Sequence, residues 1–291
     1  MQCMPKVSVV IPSYNHASFL KQRIDSVLGQ TFEDIEIILL DDCSTDNSRE
    51  IIDGYRNEPR IKHIVYNEIN SKSTFKQWKK GITLCDAEII WIAESDDFSD
   101  TNFLSTLFPI IEKDRQLGIV YCQSFSVDDK NNVTGNWKGH TDNLDRLKFE
   151  TNFNMPGPSY IEHFLIHKNT IPNASAVLFR KRYYEMAGGT ETEIKYCGDW
   201  ITWLKILLHS NIFFMSGSLN YFRYHANSVI SKATSEFDHS RYVEKYDRTM
   251  RKRFQDYLEE KHIEKTNILK LNYHYILKEN MDEELFAQNS Q

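Results

Sequence analysis

The sequence predicts an α/β protein with a mostly parallel open sheet flanked by helices, and three observations support this fold class. Short apolar runs rich in Val and Ile recur at residues 7–11, 35–40, 61–66 and 88–93. The first run is apolar on both faces, as a strand buried between two layers of helices is. Segments with helical spacing of apolar residues separate the runs. Strands that alternate with helices form parallel sheets with right-handed crossovers.

The first helix is expected directly after the first strand, which ends at Pro12. Asn15 or Ser18 is placed to cap the amino terminus of this helix, and Gly29 is placed to end it. Its apolar residues fall on one helical face: Leu20, Ile24, Val27 and Leu28.

The later elements are predicted from the same two patterns. Ser44 or Thr45 is placed to cap a second helix, on which three apolar residues follow: Ile51, Ile52 and Tyr55. Residues 128–160 are polar and marked by Gly and Pro, which predicts loops and short elements. Further helices are expected at residues 75–84, 103–112 and 200–209, and further strands at 118–121 and 176–180.

Composition and charge argue against several classes of protein. With 41% hydrophobic residues the chain is too apolar to be disordered, and its net charge of −6 argues against a nucleic-acid partner. The five cysteines form no CxxC pair, which favours a reducing compartment over a disulfide framework or zinc ribbon. The apolar stretches are far shorter than the ~20 residues of a membrane span, and no signal peptide is recognised. We therefore expect a cytoplasmic protein.

Polar clusters follow three of the predicted strands. Residues 12–15 follow the first strand, Asp41 and Asp42 the second, and the Glu-Ser-Asp-Asp cluster at 94–97 the fourth. Ligands of open α/β sheets bind beyond the carboxyl ends of the strands. Three acidic side chains within four positions repel one another unless a cation or a donor-rich ligand neutralises them. The pattern favours a metal-bound diphosphate, although a solvated turn or a helix cap could have the same composition.

The turn after the first strand lacks the glycines of the common phosphate-binding loops. Residues 12–17 contain neither GxGxxG nor GxxxxGK[ST], so the dinucleotide-binding and P-loop interpretations lose their main support. A nucleotidyltransferase also builds a metal–diphosphate site on an α/β sheet, and it would be expected to carry a glycine-rich, basic turn here. It is retained as an alternative function.

Four motifs follow one another in the first third of the chain. They are VSVVIPSYN at residues 7–15, SVLGQTF at 26–32, DDCSTD at 41–46 and the acidic cluster at 94–97. In this order the motifs resemble family 2 glycosyltransferases with the GT-A fold, closely to residue 100 and more weakly to about 231. The resemblance implies an inverting transferase that moves a sugar from a nucleotide-diphosphate donor to a hydroxyl of a saccharide or lipid-linked oligosaccharide, with Mn²⁺ or Mg²⁺.

The resemblance places five residues of the first two clusters near the donor nucleoside. Pro12, Tyr14 and Asp42 match positions that frame the nucleoside, and Asn15 and Asp41 lie beside them. The carboxylate of Asp42 can accept the ring N–H of uracil or thymine, which favours a UDP-sugar. Capping of the following helix is the alternative role of the two aspartates.

The acidic cluster matches the DxD element of the family, with one departure. Glu94 stands where the family has Asp. We expect Glu94 and Ser95 to contact the donor because of their position in the motif alone. Asp96 is expected to contact the donor diphosphate and, together with Asp97, the metal.

A second departure precedes Gly81. Many members of the family carry Arg-Asn where this chain has Trp78-Lys79. The cationic contact to the donor would therefore pass to Lys76 or Lys79, with solvated helix lysines as the alternative.

The second half of the chain supplies the remaining candidates. Asp199 follows Gly198 where the family has a Glu-Asp pair, and it matches the general base of the reaction, with a helix cap as the alternative. Arg223 and His225 resemble the family's Arg-x-His segment. Arg223 would stabilise the diphosphate and His225 would bind the metal. A nucleotide-sugar-binding protein without turnover remains the non-enzymatic alternative.

The expected domain organisation is a catalytic domain at 1–235, with a nucleotide-sugar-binding half at 1–100 and an acceptor-binding half at 101–235. Residues 135–175, with Trp137 and His140, are expected to shape the acceptor pocket. Residues 236–291 form a charged helical extension whose apolar positions have helical spacing: Val243, Tyr246, Met250, Phe254 and Tyr257. The extension also carries four basic residues: Arg248, Arg251, Lys252 and Arg253. These residues could contact the inner face of the cell membrane. Alternatively, the helix could pack on the catalytic domain or in a homodimer.

Overall fold

A computed structural model describes residues 4–225, 239–263 and 267–277, and for residues 239–246 it describes the backbone alone. The first part follows the predicted alternation: β1 (Val7–Ser13), α1 (Ala17–Leu28), β2 (Ile35–Asp41), α2 (Ser48–Asp53), β3 (Ile61–Tyr66), α3 (Thr74–Thr83) and β4 (Ile89–Ile92). These four strands pair in parallel in the order β3-β2-β1-β4, which confirms the predicted open sheet for this part. Every residue of β1, β2 and β4 is buried, because helices cover both faces of the sheet there.

The second part extends the same sheet but makes it mixed. Its elements are β5 (Phe98–Ser99), α4 (Phe103–Lys113), β6 (Leu117–Val127), β7 (Val133–Asn136), α5 (Asp142–Asp145), β8 (Phe153–Pro156), α6 (Gly157–Tyr160), β9 (Val177–Arg180), α7 (Lys181–Met186), α8 (Gly198–Leu207) and β10 (Asn211–Arg223). Strand β9 enters antiparallel between β4 and β6, whereas β10 pairs in parallel with β6, so the full order is β3-β2-β1-β4-β9-β6-β10-β5. Strand β7 pairs with β6, and strand β8 pairs with β10.

The sequence analysis missed β10, the longest strand. Its middle carries the small residues Ser216, Gly217 and Ser218, and the register against β6 shifts there. The strand pairs with β8 before this irregularity and with β5 after it. Small polar residues weaken the alternation that marks a strand in sequence. The carboxyl end of β10 brings Arg223 and His225 to the end of β4.

The predicted helix caps were wrong, because a residue from another segment caps the first helix. Neither Asn15 nor Ser18 caps α1; the Ala17 N–H donates to Asp46 Oδ2 at 2.9 Å. Neither Ser44 nor Thr45 caps α2. The second oxygen of Asp46 accepts from the Ser48 N–H at 3.0 Å, so one carboxylate serves the start of both helices.

The carboxyl-terminal helices pack on the α/β part of the chain. They are α9 (His239–Glu260) and α10, at residues 267–277. Met250 and Phe254 are fully buried in the same apolar core as Trp200 and Leu204 of α8. Of the arrangements that the sequence left open for this helix, the structure shows packing on the rest of the chain. Val243 and Tyr246 lie outside the residues whose side chains are described.

Arg251 departs most from the basic exposed face that the sequence suggested. It is 1% exposed, with its guanidinium stacked between Trp200 and Tyr275. Lys252 and Arg253, which follow it, are exposed. Among the helices of the described segments, none combines the length and hydropathy that a membrane span requires.

We expect Phe254→Ala to lower the free energy of unfolding by about 3–5 kcal/mol, because it removes a fully buried ring from a packed core. Denaturant unfolding of the full chain measures this loss. Lys252→Ala, two residues away on the exposed face of α9, is the control and should change the same quantity by less than about 0.5 kcal/mol. Equal stability of the two variants would contradict the packing of α9 on the domain.

Candidate active site

The turn after β1 is tied to the turn after β2 through Asn15. This residue has a left-handed backbone with φ of 54°. Its N–H donates to Ser44 Oγ at 2.9 Å, and its Oδ1 accepts from the Thr45 N–H at 2.7 Å. Pro12 is buried in β1, whereas the ring of Tyr14 is 46% exposed. Tyr14 and Asn15 are both exposed, but the side chain of Asn15 is engaged with Thr45, so Tyr14 presents the exposed ring of this turn.

Asp42 is a buried carboxylate surrounded by hydrogen-bond donors. Its Oδ1 accepts from Asn67 Nδ2 at 2.6 Å, from Gln77 Nε2 at 3.0 Å and from the Ser71 N–H at 2.9 Å. Its Oδ2 accepts from Ser71 Oγ at 2.7 Å. Asp42 therefore organises the segment between β3 and α3, and a nucleobase N–H would share the carboxylate with these donors.

Asp41 lies beside it with a different partner. It is fully buried, and its Oδ2 accepts from Arg49 Nε at 2.7 Å and from the Ser44 N–H at 3.1 Å. Its predicted proximity to Asp42 holds, but the Asp41 side chain is engaged with the start of the next helix. This geometry favours a structural role for Asp41.

A compact group of possible metal ligands lies at the ends of β1, β4 and β10. It consists of His16, Asp96 and His225, whose ligand atoms lie within 4.8 Å of one another. His225 Nε2 is 3.2 Å from Asp96 Oδ2, and His16 Nδ1 is 2.7 Å from the hydroxyl of the buried Ser95. Sequence reasoning missed His16, although its place directly after the first polar cluster put it at the carboxyl edge of the sheet.

Asp97 and Arg223 point into the protein at the same edge. Asp97 is 3% exposed; its Oδ1 accepts from the Arg223 N–H at 2.9 Å, and its Oδ2 lies 4.0 Å from the buried Arg23 guanidinium. Arg223 is 1% exposed and donates to the carbonyl of Asp96, the carbonyl of Asp128 and the side chain of Gln22. Both side chains hold the loops of the site together, so the geometry does not favour Asp97 as a metal ligand or Arg223 as a diphosphate contact.

The acidic side chains of the cluster differ strongly in protonation. Burial, followed by the charge of Asp96, raises the pKa of Glu94 to about 8 and the pKa of Asp97 to about 6. Burial would also raise the pKa of Asp96, but the hydrogen bond to His225 and the charge of His16 hold it below its usual value. At neutral pH Asp96 and Asp97 are therefore mostly ionised and Glu94 is mostly protonated, with Asp96 the most acidic of the three.

The two departures from the family pattern in this region contact each other. The indole N–H of Trp78 donates to Glu94 Oε1 at 2.6 Å, and Trp78 is 2% exposed on the inner face of α3. Lys76 and Lys79 lie on the exposed face of the same helix, with Lys76 Nζ 3.6 Å from Glu193 Oε1. Neither lysine is placed beside the acidic cluster by a described contact.

Asp199 lies in the first turn of α8, and its surroundings suit a base. Burial raises the pKa of its carboxyl group above the usual value, against the opposing hydrogen bonds from the Trp200 N–H and from Asn169. Asn169 Nδ2 donates to Asp199 Oδ2 at 3.1 Å, which orients the carboxylate. Asp199 therefore lies at the start of a helix and has a partly buried carboxylate that a hydrogen bond orients.

Helix α3 contacts both the residue before Asp199 and the acidic cluster. Phe75 packs so closely on the Gly198 backbone that a Cβ at this position would lie 2.5 Å from the ring. This contact explains why glycine stands where the family has Glu. One turn along α3, Trp78 bonds to Glu94, so a single helix face contacts both sides of the site.

Comparison with known proteins adds the following. The family model described as "Glycosyl transferase family 2" matches residues 8–186. Glycosyltransferase GlyG of Streptococcus pneumoniae is 35% identical over 126 residues, which are 43% of this chain and 42% of GlyG. Chondroitin synthase of Escherichia coli is 30% identical over 46% of this chain and 19% of its own length. The aligned segment thus spans less than half of either relative.

Solved structures confirm the GT-A prediction at the level of the fold. Residues 1–349 of Staphylococcus aureus TarS, in complex with UDP-GlcNAc, superpose with a TM-score of 0.70 at 17% identity, over 95% of this chain and 73% of that one. Mannosyltransferase PcManGT from Pyrobaculum calidifontis, in complex with GDP-Man and Mn²⁺, gives 0.60 at 13% identity, over 99% and 80%.

Proposed function

Because this chain belongs to glycosyl transferase family 2, we propose that it moves a sugar, with inversion, from a UDP-sugar to a hydroxyl of a saccharide or lipid-linked oligosaccharide. The observation that carries the proposal is Asp199, a partly buried carboxyl group of raised pKa that α3 links to the acidic cluster. A protein that only bound nucleotide sugars would have no use for such a base.

The reaction is a single displacement. Asp199 accepts the proton of the acceptor hydroxyl as its O–H bond breaks, and the acceptor oxygen forms a bond to the anomeric carbon. The bond from that carbon to the β-phosphate oxygen breaks on the opposite side, and its electron pair leaves with UDP. Attack opposite the leaving group inverts the anomeric centre. A raised pKa makes Asp199 a more effective proton acceptor near neutral pH, and Asn169 holds it in place.

His16, Asp96 and His225 fit a divalent cation, because two imidazoles and one carboxylate converge on one point. Two imidazole nitrogens disfavour Mg²⁺, which prefers oxygen ligands. Mn²⁺, which is present with GDP-Man in the structure of PcManGT, is the first transition metal to test. A bound cation supplies the positive charge against which the diphosphate leaves. Asp97 helps to position this group indirectly. Its carboxylate accepts a hydrogen bond from the N–H of Arg223, which lies two residues before His225.

The donor nucleoside is assigned to the edge formed by β1, β2 and β4. The exposed ring of Tyr14 can stack on a base, and an N–H of the base would bind Asp42 by replacing one of the donors that this carboxylate already accepts from. Glu94 and Ser95 border the same edge, and the bond from Trp78 orients Glu94. TarS, whose fold is similar, is solved with UDP-GlcNAc and with UDP, which supports a UDP-sugar as the first donor to test.

The proposal is tested by the thermal shift of the full chain with UDP-, dTDP- and GDP-sugars, each with and without Mn²⁺. A donor that binds the folded state raises the melting temperature, and we expect the largest rise with a UDP-sugar and Mn²⁺ together. Release of UDP from a radiolabelled UDP-sugar then separates a transferase from a binding protein. Release of pyrophosphate from a nucleoside triphosphate and a sugar phosphate would instead indicate a nucleotidyltransferase.

A further inference from the structure

Three aromatic side chains gather at the surface beside the candidate site. The rings of Trp137 and Tyr224 are parallel within 6°, with centroids 6.3 Å apart. The Phe222 ring stands nearly perpendicular to both, at 5.3 Å from Trp137 and 5.1 Å from Tyr224. Tyr224 is 45% exposed, and Trp137 and Phe222 are partly buried. We name these three residues the aromatic platform.

The platform borders the cation side of the site through β10. Tyr224 directly precedes His225 of the metal-ligand group and directly follows Arg223, whose N–H bonds to Asp97. The Tyr224 N–H donates to the carbonyl of Val127 at 2.9 Å, so its backbone is held in the sheet. Tyr224 and Phe222, two positions apart, lie on the same face of this segment, and the backbone of Tyr224 is adjacent to that of His225.

The platform also reaches the base through a chain of contacts. The Trp137 ring packs on the edge of His140 at 5.0 Å, and His140 Nε2 lies 2.9 Å from the carbonyl oxygen of Asn169. The side chain of Asn169 then donates to Asp199 at 3.1 Å. An acceptor hydroxyl must lie between the base and the anomeric carbon, and the platform is connected to both sides of that position.

We propose that Tyr224 and Trp137, backed by Phe222, form the subsite that stacks the acceptor sugar ring. A pyranose has one face of C–H groups, which an aromatic face can cover while the ring hydroxyls keep their contacts with water and polar groups. The inference rests on the proposed function and adds the acceptor's recognition chemistry to it: a sugar with an unblocked apolar face. The cluster adjoins His225 along the chain and is connected to Asp199 through His140 and Asn169, and its most exposed ring, Tyr224, is open to a ligand.

The test uses the full chain with UDP and Mn²⁺ and separate probes: the methyl β-glycosides of glucose, galactose and N-acetylglucosamine. Saturation-transfer NMR measures binding of each glycoside to wild type, Tyr224→Ala and Tyr224→Phe. We expect Tyr224→Ala to weaken binding of the best probe by roughly 3- to 10-fold, the range of aromatic stacking, and Tyr224→Phe to retain it. Tyr273→Ala, at an exposed tyrosine of α10, is the control and should bind as wild type does.

Affinity for UDP with Mn²⁺, measured by calorimetry, separates a failure of this inference from a failure of the proposed function. Unchanged UDP affinity and melting temperature in Tyr224→Ala, with weaker glycoside binding, support the platform. Equal glycoside binding by Tyr224→Ala and wild type overturns it, as does a wild type that binds UDP but none of the three glycosides. Tighter binding of choline than of any glycoside also overturns it, because aromatic clusters can hold quaternary ammonium groups. A wild type that binds no nucleotide overturns the proposed function instead.

Discussion

Replacing Asp199 by Asn should lower the rate of sugar transfer by about 10²–10⁴-fold, the usual contribution of a general base. The substitution keeps the shape of the side chain and an oxygen that can accept from Asn169. The variant cannot take up the acceptor proton at that position. Transfer from a labelled UDP-sugar measures the loss, and the affinity for UDP with Mn²⁺ should stay unchanged.

The same variant has a second expected signature in its stability. Burial raises the pKa of Asp199, so the ionised carboxylate is less favourable in the folded protein than in the unfolded chain. Above both pKa values this difference lowers the free energy of unfolding. A neutral Asn removes the cost, so at pH 7 we expect the variant to be as stable as wild type or more stable. Lower activity with undiminished stability would not be expected of a helix cap.

The pH profile follows from the same residue. Asp199 must be deprotonated to act, so kcat/KM of the wild type should rise with pH through the raised pKa of this carboxyl and then level off. The residual activity of Asp199→Asn should lack that limb. Asp256→Asn, at an exposed aspartate of α9, is the matched control and should keep both rate and profile. Near-normal transfer by Asp199→Asn would refute the assignment of the base.

Loss of either imidazole of the candidate metal site should weaken Mn²⁺ binding by roughly 100-fold or more, since changes even to residues that support a metal ligand cost 10–100-fold. We expect this for His16→Ala and for His225→Ala, because each supplies one of three converging ligand atoms. Titration of Mn²⁺ in the presence of UDP, followed by electron paramagnetic resonance, measures the affinity. Transfer activity should fall in parallel.

Asp97→Asn is the informative comparison for the metal site. Its carboxylate faces Arg23 and the Arg223 backbone and lies outside the ligand group. We expect Mn²⁺ affinity to remain within a few-fold of wild type, because the Asn side chain keeps an oxygen that can accept from the Arg223 N–H and so holds the segment before His225 in place. The reverse pattern, with Asp97 needed for Mn²⁺ and His16 dispensable, would exclude the ligand group proposed here.

The two departures at Trp78 and Glu94 show where sequence reasoning stops. Each was visible as a difference from the family pattern, and each reduced the expectation for its own position. The structure joins them by one hydrogen bond, and it joins Gly198 to Phe75 by close packing in the same way. The residues of the two pairs lie 16 and 123 positions apart in the chain. A single sequence does not indicate that two residues far apart in the chain, each a departure from the family pattern, contact each other in the folded protein.

The sequence also did not predict which way a long, charged side chain points. Arg223 and Arg251 were expected at a diphosphate and on a basic surface, but both are 1% exposed and hold backbone carbonyls inside the protein. Position in a motif predicts that a residue lies near a site. Whether its side chain points outward depends on which neighbouring segments leave acceptors for it.

Local patterns in the chain were enough to predict the strand and helix alternation and the acidic side chains at the carboxyl edge of the sheet, and resemblance to the family added His225 and Asp199 as candidates. Such patterns depend on neighbours a few positions apart, and they are written directly in the order of residues. Only the folded chain brings His16 to Asp96, turns Asp97 inward, inserts β9 antiparallel and seats α9 on the domain. These outcomes depend on contacts between distant segments, where burial and hydrogen-bond satisfaction are decided by the whole molecule at once.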